Sequence, residues 1–421
     1  MERTSRLGGL ALAAGVHAFM GPPRAGIRLS GTNLVRAADH NQRITLHAIR
    51  VNGSLTRVEL AKITGLTTPT IANISRRLLA DGMIEEAGQR RGGRGQPPTD
   101  LTINADACFC LGVNIDRDHI TVVVVDFLGK TRARATKEIA FALPDDVRAF
   151  YQHCAPLLLQ EAGVKADQLL GVGVAAPDDL GLVDLPGRPA DYAQWHGLDV
   201  TSLFKAPYDL PTFTENDAAA AATGEVQLGH GQRYSSFFYI LISWALGGGL
   251  VIDGAYRRGA QGRSGELGFM MGETPGGGRE QIQTFVSLSG LSEALKAEGL
   301  TLTECMSAEG PIHPAVATWL DAAAERLIDP LTAVNCLINP AAVLIGGRLP
   351  VAAVDRLANR LNALLRERAT SAPVIAPVRC AALAEDAPAV GAAILPLSHF
   401  LLPRGTALWA EPEAEAAADA A

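Results

Sequence analysis

The chain has 421 residues, enough for a small domain and a larger two-lobed one, and 48% of them are hydrophobic. Its six cysteines are scattered without disulfide or zinc-finger spacing, which excludes a disulfide-rich secreted scaffold and favours a reducing cytoplasm. The net charge of −7 conceals a basic head, because residues 1–100 carry +7 and the rest of the chain carries −14. This distribution predicts phosphate binding at the N-terminal end.

The two ends of the chain are expected to lie outside the folded domains. Residues 1–30 combine a charged start with an apolar run, a pattern similar to a signal peptide, but a DNA-binding segment follows and export would make it useless. We therefore interpret 1–30 as a flexible extension. Residues 404–421 form an acidic, alanine-rich tail expected to be disordered. No other run is apolar and long enough to span a membrane, so we expect a cytoplasmic protein without a membrane partner.

Residues 31–100 are predicted to form a winged helix-turn-helix that binds double-stranded DNA. Thr67 or Thr68 can cap the recognition helix, Pro69 suits its first turn, and Gly82 suits its C-terminal end. Apolar side chains then recur at helical spacing and are expected to face the small core: Ile71, Ile74 and Leu78.

The DNA-binding side chains are expected on two surfaces. The first is the polar side of the recognition helix, with Thr68, Thr70, Asn73, Arg76 and Arg77. The second is a glycine-rich wing tip with Arg90, Arg91 and Arg94, since small residues let basic side chains approach a groove. The alternative is a three-helix interaction module with a solvated basic loop.

From residue 106 onward the pattern changes to strand hairpins mixed with long helices. Cys108–Ile115 and Ile120–Phe127 are predicted to form one hairpin. Phe237–Ile242 and Gly249–Asp253 are predicted to form a second hairpin around three glycines. Long alanine- and leucine-rich helices are expected at 314–337 and 351–368. Two such halves predict an α/β body with a cleft between its lobes.

Several motifs in this body resemble those of the ROK family (repressor, open reading frame, kinase), in its winged-helix regulator branch. They are ENDAAAAATGE from Glu215, LGGGLVIDGAYRRGAQGRSGELG from Leu246, and NPAAVLIGGRL from Asn339, and the resemblance runs from about Gly31 to Pro396. It implies an actin-like ATPase (sugar kinase-like) body over 106–403, with lobes at about 106–217 and 218–396. It also implies a homodimer or homotetramer.

Positions that serve phosphate chemistry in family kinases are altered here. In the stretch that resembles their phosphate hairpin, Asn114 replaces an acid, and Asp116 and Asp118 place carboxylates where a triphosphate would approach. We expect these carboxylates to have no cation partner besides Arg117. Trp244 stands where the family has a small hydroxyl residue. We favour a tight hairpin over phosphate binding for the three glycines, and expect neither kinase activity nor a cofactor.

The zinc motif implied by the family is absent as well. Phe269 follows Glu266-Leu267-Gly268 where the family has a histidine, and residues 273–289 contain neither Cys nor His. Because tetrahedral zinc needs about four nitrogen or sulfur ligands, no metal site is predicted.

Sugar recognition is the part of the family pattern that partly remains. Asn216, Asp217 and Glu266 match its sugar-binding positions, and groups of this kind suit hydroxyls that both donate and accept hydrogen bonds. Phe269 and Gln283 depart from the pattern. The alternative for Asn216-Asp217 is a cap of the alanine-rich helix that follows.

We therefore expect a DNA-binding transcriptional regulator, a repressor of sugar-related genes, whose non-catalytic body binds a carbohydrate-like effector. The first alternative is a sugar kinase with an appended DNA-binding head. The second is an architectural protein whose DNA binding responds to no metabolite.

Overall fold

The structure is a computed structural model that describes residues 34–89, 98–178, 180–182, 188–260, 262–273, 277–306, 310–368 and 374–403. The predictions for residues 1–30 and 404–421 lie outside these ranges. The chain divides into two compact units, Met1–His40 and Asn41–Ala421. Residues 34–40, the described part of the first unit, are helical.

Three helices and a small sheet form the predicted winged helix. The helices are α1 (Leu34–Asn52), α2 (Arg57–Thr64) and α3 (Thr68–Ala80). The strands are β1 (Ser54–Thr56), β2 (Ile84–Gln89) and β3 (Thr99–Ile103), antiparallel in the order β1-β3-β2. The apolar faces meet in a core that contains Leu46, Ile49, Leu60, Ile71 and Leu78, as the helical spacing predicts. Residues 90–97, the predicted wing tip, fall between β2 and β3 and outside the described residues.

A five-stranded sheet with two helices follows. Its strands are β4 (Phe109–Ile115), β5 (His119–Asp126), β6 (Thr131–Glu138), β7 (Leu169–Ala176) and β8 (Thr212–Asn216). The helices are α4 (Pro144–Ala162) and α5 (Asp217–Leu228). The strand order is β6-β5-β4-β7-β8, in which the first two pairings are antiparallel and the last two are parallel.

The second half of the body repeats this arrangement. Its strands are β9 (Phe237–Ile242), β10 (Leu246–Ile252), β11 (Ala255–Tyr256), β12 (Met271–Glu273), β13 (Arg279–Gln281), β14 (Ala342–Gly347) and β15 (Val378–Cys380). Its helices are α6 (Leu288–Ala297), α7 (Leu302–Cys305), α8 (Pro314–Ile338), α9 (Val351–Arg368) and α10 (Ala387–Phe400). The main sheet has the order β11-β10-β9-β14-β15, again two antiparallel pairings and then two parallel ones, and β12 pairs with β13.

Helices α5 and α10 pack against each other in the middle of the body. A Cβ on Gly391 of α10 would overlap the carbonyl of Ala220 in α5, and a Cβ on Gly173 of β7 would overlap the carbonyl of Ala392 in α10. Small residues therefore permit backbone approaches that a larger side chain would prevent. None of the helices in the described part of the chain is long and apolar enough to cross a membrane.

Candidate functional site

Local capping interactions fix the ends of the two helices of the helix-turn-helix. Thr56 and Glu59 make a reciprocal capping box at the start of α2, and Gly65 ends α2 at φ 68°. Thr67 caps α3, because its hydroxyl accepts the Thr70 N–H, and Gly82 follows the helix at φ 68°. The predicted start and end of the recognition helix are confirmed, with Thr67 rather than Thr68 as the cap.

The predicted DNA-binding face of α3 is accessible. Thr68, Asn73, Arg76 and Arg77 are exposed and Thr70 is half-buried. Arg76 Nη1 donates to Asn73 Oδ1 at 3.2 Å, and Arg77 Nε lies 3.8 Å from Asp81 Oδ2 with 71% of its side chain exposed. The exposed hydrogen bond of Arg76 and the exposed ion pair of Arg77 are both weak, so these arginines can exchange their partners for phosphates or bases. Their contacts with DNA stay a prediction.

Four other residues predicted to bind DNA do not belong to this exposed group, namely Thr70 and the three arginines of the wing. The Thr70 hydroxyl lies 2.8 Å from the Thr67 hydroxyl and takes part in the helix cap. Arg90, Arg91 and Arg94 lie outside the described residues, so their role also stays a prediction.

A solvent-open cavity lies in the body, beside the N-terminal end of α5. Asn216, Asp217 and Glu266, the three residues predicted to bind a sugar, all line it. They come from the end of β8, the first position of α5 and the loop after β11. The structure thus brings the three together, and Phe269 and Gln283 lie in the same wall.

Helix capping and cavity lining coincide at the start of α5. Asn216 Oδ1 accepts the Ala219 N–H at 3.1 Å, and Asp217 Oδ1 accepts the Ala218 N–H at 2.8 Å. Burial, reinforced by the charge of Asp116, raises the pKa of the Asp217 carboxyl to about 7, while the charge of Arg117 opposes the rise. At neutral pH Asp217 can therefore accept or donate a hydrogen bond.

Arginine side chains supply the donor groups of the cavity. Arg263 Nε lies 3.1 Å from Glu266 Oε1 and 3.1 Å from Asp178 Oδ2. Arg117 is only 7% exposed, lines the cavity, and has a guanidinium that makes no hydrogen bond or ion pair to any residue in the described ranges. An Arg in this condition has donors available to a ligand. The sequence analysis did not predict Arg263 as a binding residue, although Arg263 lies in the family-like motif that begins at Leu246.

The hairpin between β4 and β5 contains an unexpected ion-pair network. Arg348, directly after β14, donates from Nη1 to Asp118 Oδ2 and from Nη2 to Glu138 Oε1, both at 2.6 Å. His119 Nδ1 lies 2.7 Å from Asp118 Oδ1. The expectation that these carboxylates have no cation partner besides Arg117 was therefore wrong, because Arg348 comes from 230 residues further along the chain.

This network determines the charge state of Asp118. Burial alone would raise the pKa of the Asp118 carboxyl, but its hydrogen bonds and charge interactions with His119 and Arg348 outweigh that effect and lower the pKa. An ion pair that joins the two halves of the body thus occupies the hairpin that resembles the phosphate-binding hairpin of family kinases.

The glycine triplet has a different role from the one predicted. Gly247, Gly248 and Gly249 lie within strand β10, not in a turn. A Cβ on Gly249 would stand 2.8 Å from the Cβ of Ala222, and one on Gly247 would stand 3.1 Å from the Cβ of Ala218, so these two glycines make room for α5. A Cβ on Gly248 would instead overlap the Gly265 carbonyl. Trp244 packs against the core of the second half and is absent from the cavity wall. The predicted hairpin is present, because β9 and β10 pair antiparallel across a turn at residues 243–245, but the glycines lie in its second strand and not in its turn.

Within the described ranges, Asp116, Asp118 and His119 form a set whose possible ligand atoms lie within 4.8 Å of one another. Both oxygens of Asp118 are already engaged, Oδ1 by His119 and Oδ2 by Arg348. We therefore assign no metal ion to this set.

Comparisons with known proteins agree with this architecture. The sequence model of the ROK family matches residues 110–398, and a winged helix-turn-helix DNA-binding model matches residues 39–85. The chain is 30% identical over 362 residues to the uncharacterised protein y4fQ of Sinorhizobium fredii, an alignment that covers 85% of this chain and 90% of y4fQ.

Two further relatives are a named repressor and a solved regulator structure. The xylose repressor of Bacillus subtilis is 27% identical over 232 residues, which cover 55% of this chain and 60% of the repressor. A ROK family transcriptional regulator, a homologue of the E. coli MLC protein, superimposes with a TM-score of 0.64 at 20% identity, over 86% of this chain and 97% of that one. The second likeness shows the shared fold. The chain belongs to the ROK family and has a winged helix-turn-helix ahead of its sugar kinase-like body.

Proposed function

We propose that the chain is a transcriptional repressor of sugar-related genes whose affinity for DNA responds to a carbohydrate-like effector. The main support for the proposal is that one chain contains both an exposed polar face on α3 and a cavity lined by Asn216, Asp217 and Glu266. The xylose repressor among its relatives supports the same function.

On the DNA side, α3 would enter the major groove of a double-stranded operator. Thr68, Asn73 and Arg77 would contact base edges or phosphates, and Arg90, Arg91 and Arg94 would approach from the wing. A homodimer or homotetramer would place two heads on a palindromic site. We propose a cytoplasmic location, since a DNA-binding role of this kind needs access to the operator.

On the effector side, the cavity offers both kinds of hydrogen-bonding group. Asn216, Asp217 and Glu266 supply acceptors, and Arg117 and Arg263 supply donors. A polyol needs such a mixture, because each hydroxyl donates one hydrogen bond and accepts others.

A sugar kinase is the second candidate, and one observation favours it. The Asp217 carboxyl is buried and burial raises its pKa to about 7, a value suited to accepting a proton from a sugar hydroxyl. The contacts of Asp118 with Arg348 and His119 oppose it, because these groups occupy the hairpin that would hold phosphate. If the wild type phosphorylates a sugar with ATP and Asp217→Asn does not, the protein is a kinase, and the proposal that its body is non-catalytic is wrong.

A thermal-shift screen tests whether the cavity binds sugars. The panel contains D-xylose, D-glucose, N-acetyl-D-glucosamine, D-gluconate and glucose 6-phosphate. At least one of them should raise the melting temperature of the wild type, because a ligand that binds the native state stabilises it.

The shift should disappear in Glu266→Gln, which lines the cavity, and persist in Glu293→Gln, whose exposed carboxylate pairs with Lys296. A panel that leaves the melting temperature unchanged contradicts the effector half of the proposal. DNA binding without any response to sugars would then favour an architectural protein.

A further inference from the structure

Helix α5 extends from the sugar cavity to the winged helix. Its first residue, Asp217, and its cap, Asn216, line the cavity. Near its other end, Gln227 Oε1 accepts a hydrogen bond from Arg50 Nη1 of α1 at 3.1 Å. Twelve residues at 1.5 Å each span about 18 Å, so one rigid element has an end at each site.

Arg50 is a buried cation with incomplete hydrogen bonding. It is 8% exposed, and its Nε donates to the Phe127 carbonyl at 3.3 Å. Its Nη2 is buried and has no hydrogen-bond partner among the described residues. The acceptors of Arg50 are thus a backbone carbonyl and the Gln227 amide, so loss of either one leaves more of a buried charge unsatisfied. The charge of Asp126 also stabilises the guanidinium, and Gln227 is the hydrogen-bond acceptor that α5 supplies.

Helix α10 forms a second connection beside the first. It packs on α5 where Gly391 approaches Ala220 without room for a Cβ. At its C-terminal end, Arg43 Nη1 of α1 donates to the carbonyls of His399 and Leu402, at 3.1 and 3.0 Å. Arg43 and Arg50 are seven residues apart and so lie on the same face of α1. The ends of both body helices therefore meet one face of the head.

We infer that α5 transmits effector occupancy from the cavity to the winged helix, with the Arg50–Gln227 hydrogen bond as its contact with the head. This inference rests on the proposed function and names how the same cavity would control DNA binding. An effector that binds Asn216 and Asp217 displaces the start of α5. Because α5 packs closely on β10 and α10, it moves as a rigid unit, and the displacement of its first turn also moves Gln227.

The movement then reaches the DNA-binding face through the head core. Arg50 lies on α1 beside Ile49, and Ile49 belongs to the same buried cluster as Leu60 of α2 and Leu78 of α3. A shift of α1 therefore changes the orientation of α3, which is the surface proposed to bind DNA. The coupling needs no contact between effector and DNA.

The experiment compares Gln227→Met with Gln232→Met in the full-length protein. Met has a similar length to Gln but cannot accept the Arg50 hydrogen bond. Gln232 is exposed, follows α5, and makes no side-chain hydrogen bond to the described residues of α1, so its substitution is the matched control. Binding to a duplex that the wild type selects from random DNA is measured by fluorescence anisotropy. Each protein is measured with and without D-xylose, or with the panel sugar that changes wild-type affinity.

The expected wild-type response is a change of about 5- to 150-fold in operator affinity, the usual range of coupling between two sites. In Gln227→Met this factor, the ratio of operator affinities with and without sugar, should fall toward 1. The affinity of this variant for the sugar alone, and for DNA alone, should stay within about threefold of the wild-type value. Gln232→Met should behave as the wild type. Arg50→Lys keeps the charge but loses the two-point geometry, and it should also reduce the factor.

An unchanged factor in both Gln227→Met and Arg50→Lys overturns the inference and leaves the proposed function intact. A wild type that binds DNA with an affinity no panel sugar alters removes the proposed function, and the inference with it. The two failures are therefore distinguishable from the wild-type measurement.

Discussion

The ionisation of Asp217 should make the stability of the body depend on pH. Burial raises the pKa of this carboxyl from its ordinary value of 3.8 to about 7. An acid with a raised pKa in the folded state destabilises the fold as pH rises above the unfolded pKa, and the full cost is reached above the folded pKa. At about 1.36 kcal/mol per pKa unit, the cost is about 4 kcal/mol above pH 7.

Asp217→Asn removes this carboxylate and retains an oxygen that can accept the Ala218 N–H. Between pH 5 and pH 8 the wild type should lose about 2.5 kcal/mol of unfolding free energy relative to the variant, since the rest of the cost has already developed by pH 5. Urea unfolding followed by tryptophan fluorescence at several pH values measures this difference.

All other ionisable groups are common to the two proteins, so their difference reports the carboxyl together with its charge interactions with Asp116 and Arg117. Asp209→Asn, which removes an exposed aspartate instead of a buried one, is the control. A stability difference for Asp217→Asn that is constant from pH 5 to pH 8 would refute the raised pKa. Burial would then not dominate the environment of Asp217.

Three further predictions concern the ion pair of Asp118, the sugar cavity and the recognition helix. Arg348→Met removes the arginine partner of Asp118 and should lower the unfolding free energy by about 2–3 kcal/mol. Arg356→Met, which breaks an exposed ion pair, should cost less than about 1 kcal/mol, and equal losses in urea unfolding would contradict the distinction. Arg117→Met should weaken sugar binding at least about tenfold in calorimetry without altering DNA affinity, and unaltered sugar affinity would exclude Arg117 as a ligand. Arg77→Ala should weaken binding to the selected duplex by about 1–3 kcal/mol and spare random DNA, so equal losses on both would contradict its placement in the recognition helix.

Local patterns in the sequence predicted the elements whose signals are themselves local. The recognition helix is an example, since Thr67 and Gly82 mark its ends and Ile71 and Leu78 face the core at helical spacing. The long helices at 314–337 and 351–368 were also predicted to within a residue.

Asn216 and Asp217 lie about 50 residues before Glu266 in the sequence. That the three residues line one site was predicted from motifs that resemble those of a family. Local spacing alone carries no such information.

Contacts between distant segments could not be predicted in this way. Nothing near Asp118 indicates that Arg348 will neutralise it, because the ion pair depends on how two halves of the body meet. The glycines of β10 were misassigned for a related reason. A run of three glycines is compatible with a turn, and only the packing of Ala222 against Gly249 indicates why a strand contains them.

The central claim is that a sugar bound in the body controls DNA binding by the head. Its most direct test is the affinity of the full-length protein for its selected duplex, measured by anisotropy with and without each sugar of the panel. We predict that at least one sugar changes this affinity about fivefold or more, and that Glu266→Gln abolishes the change but still binds the duplex. Affinity that stays the same with every sugar, or failure to bind any selected duplex, would contradict the account.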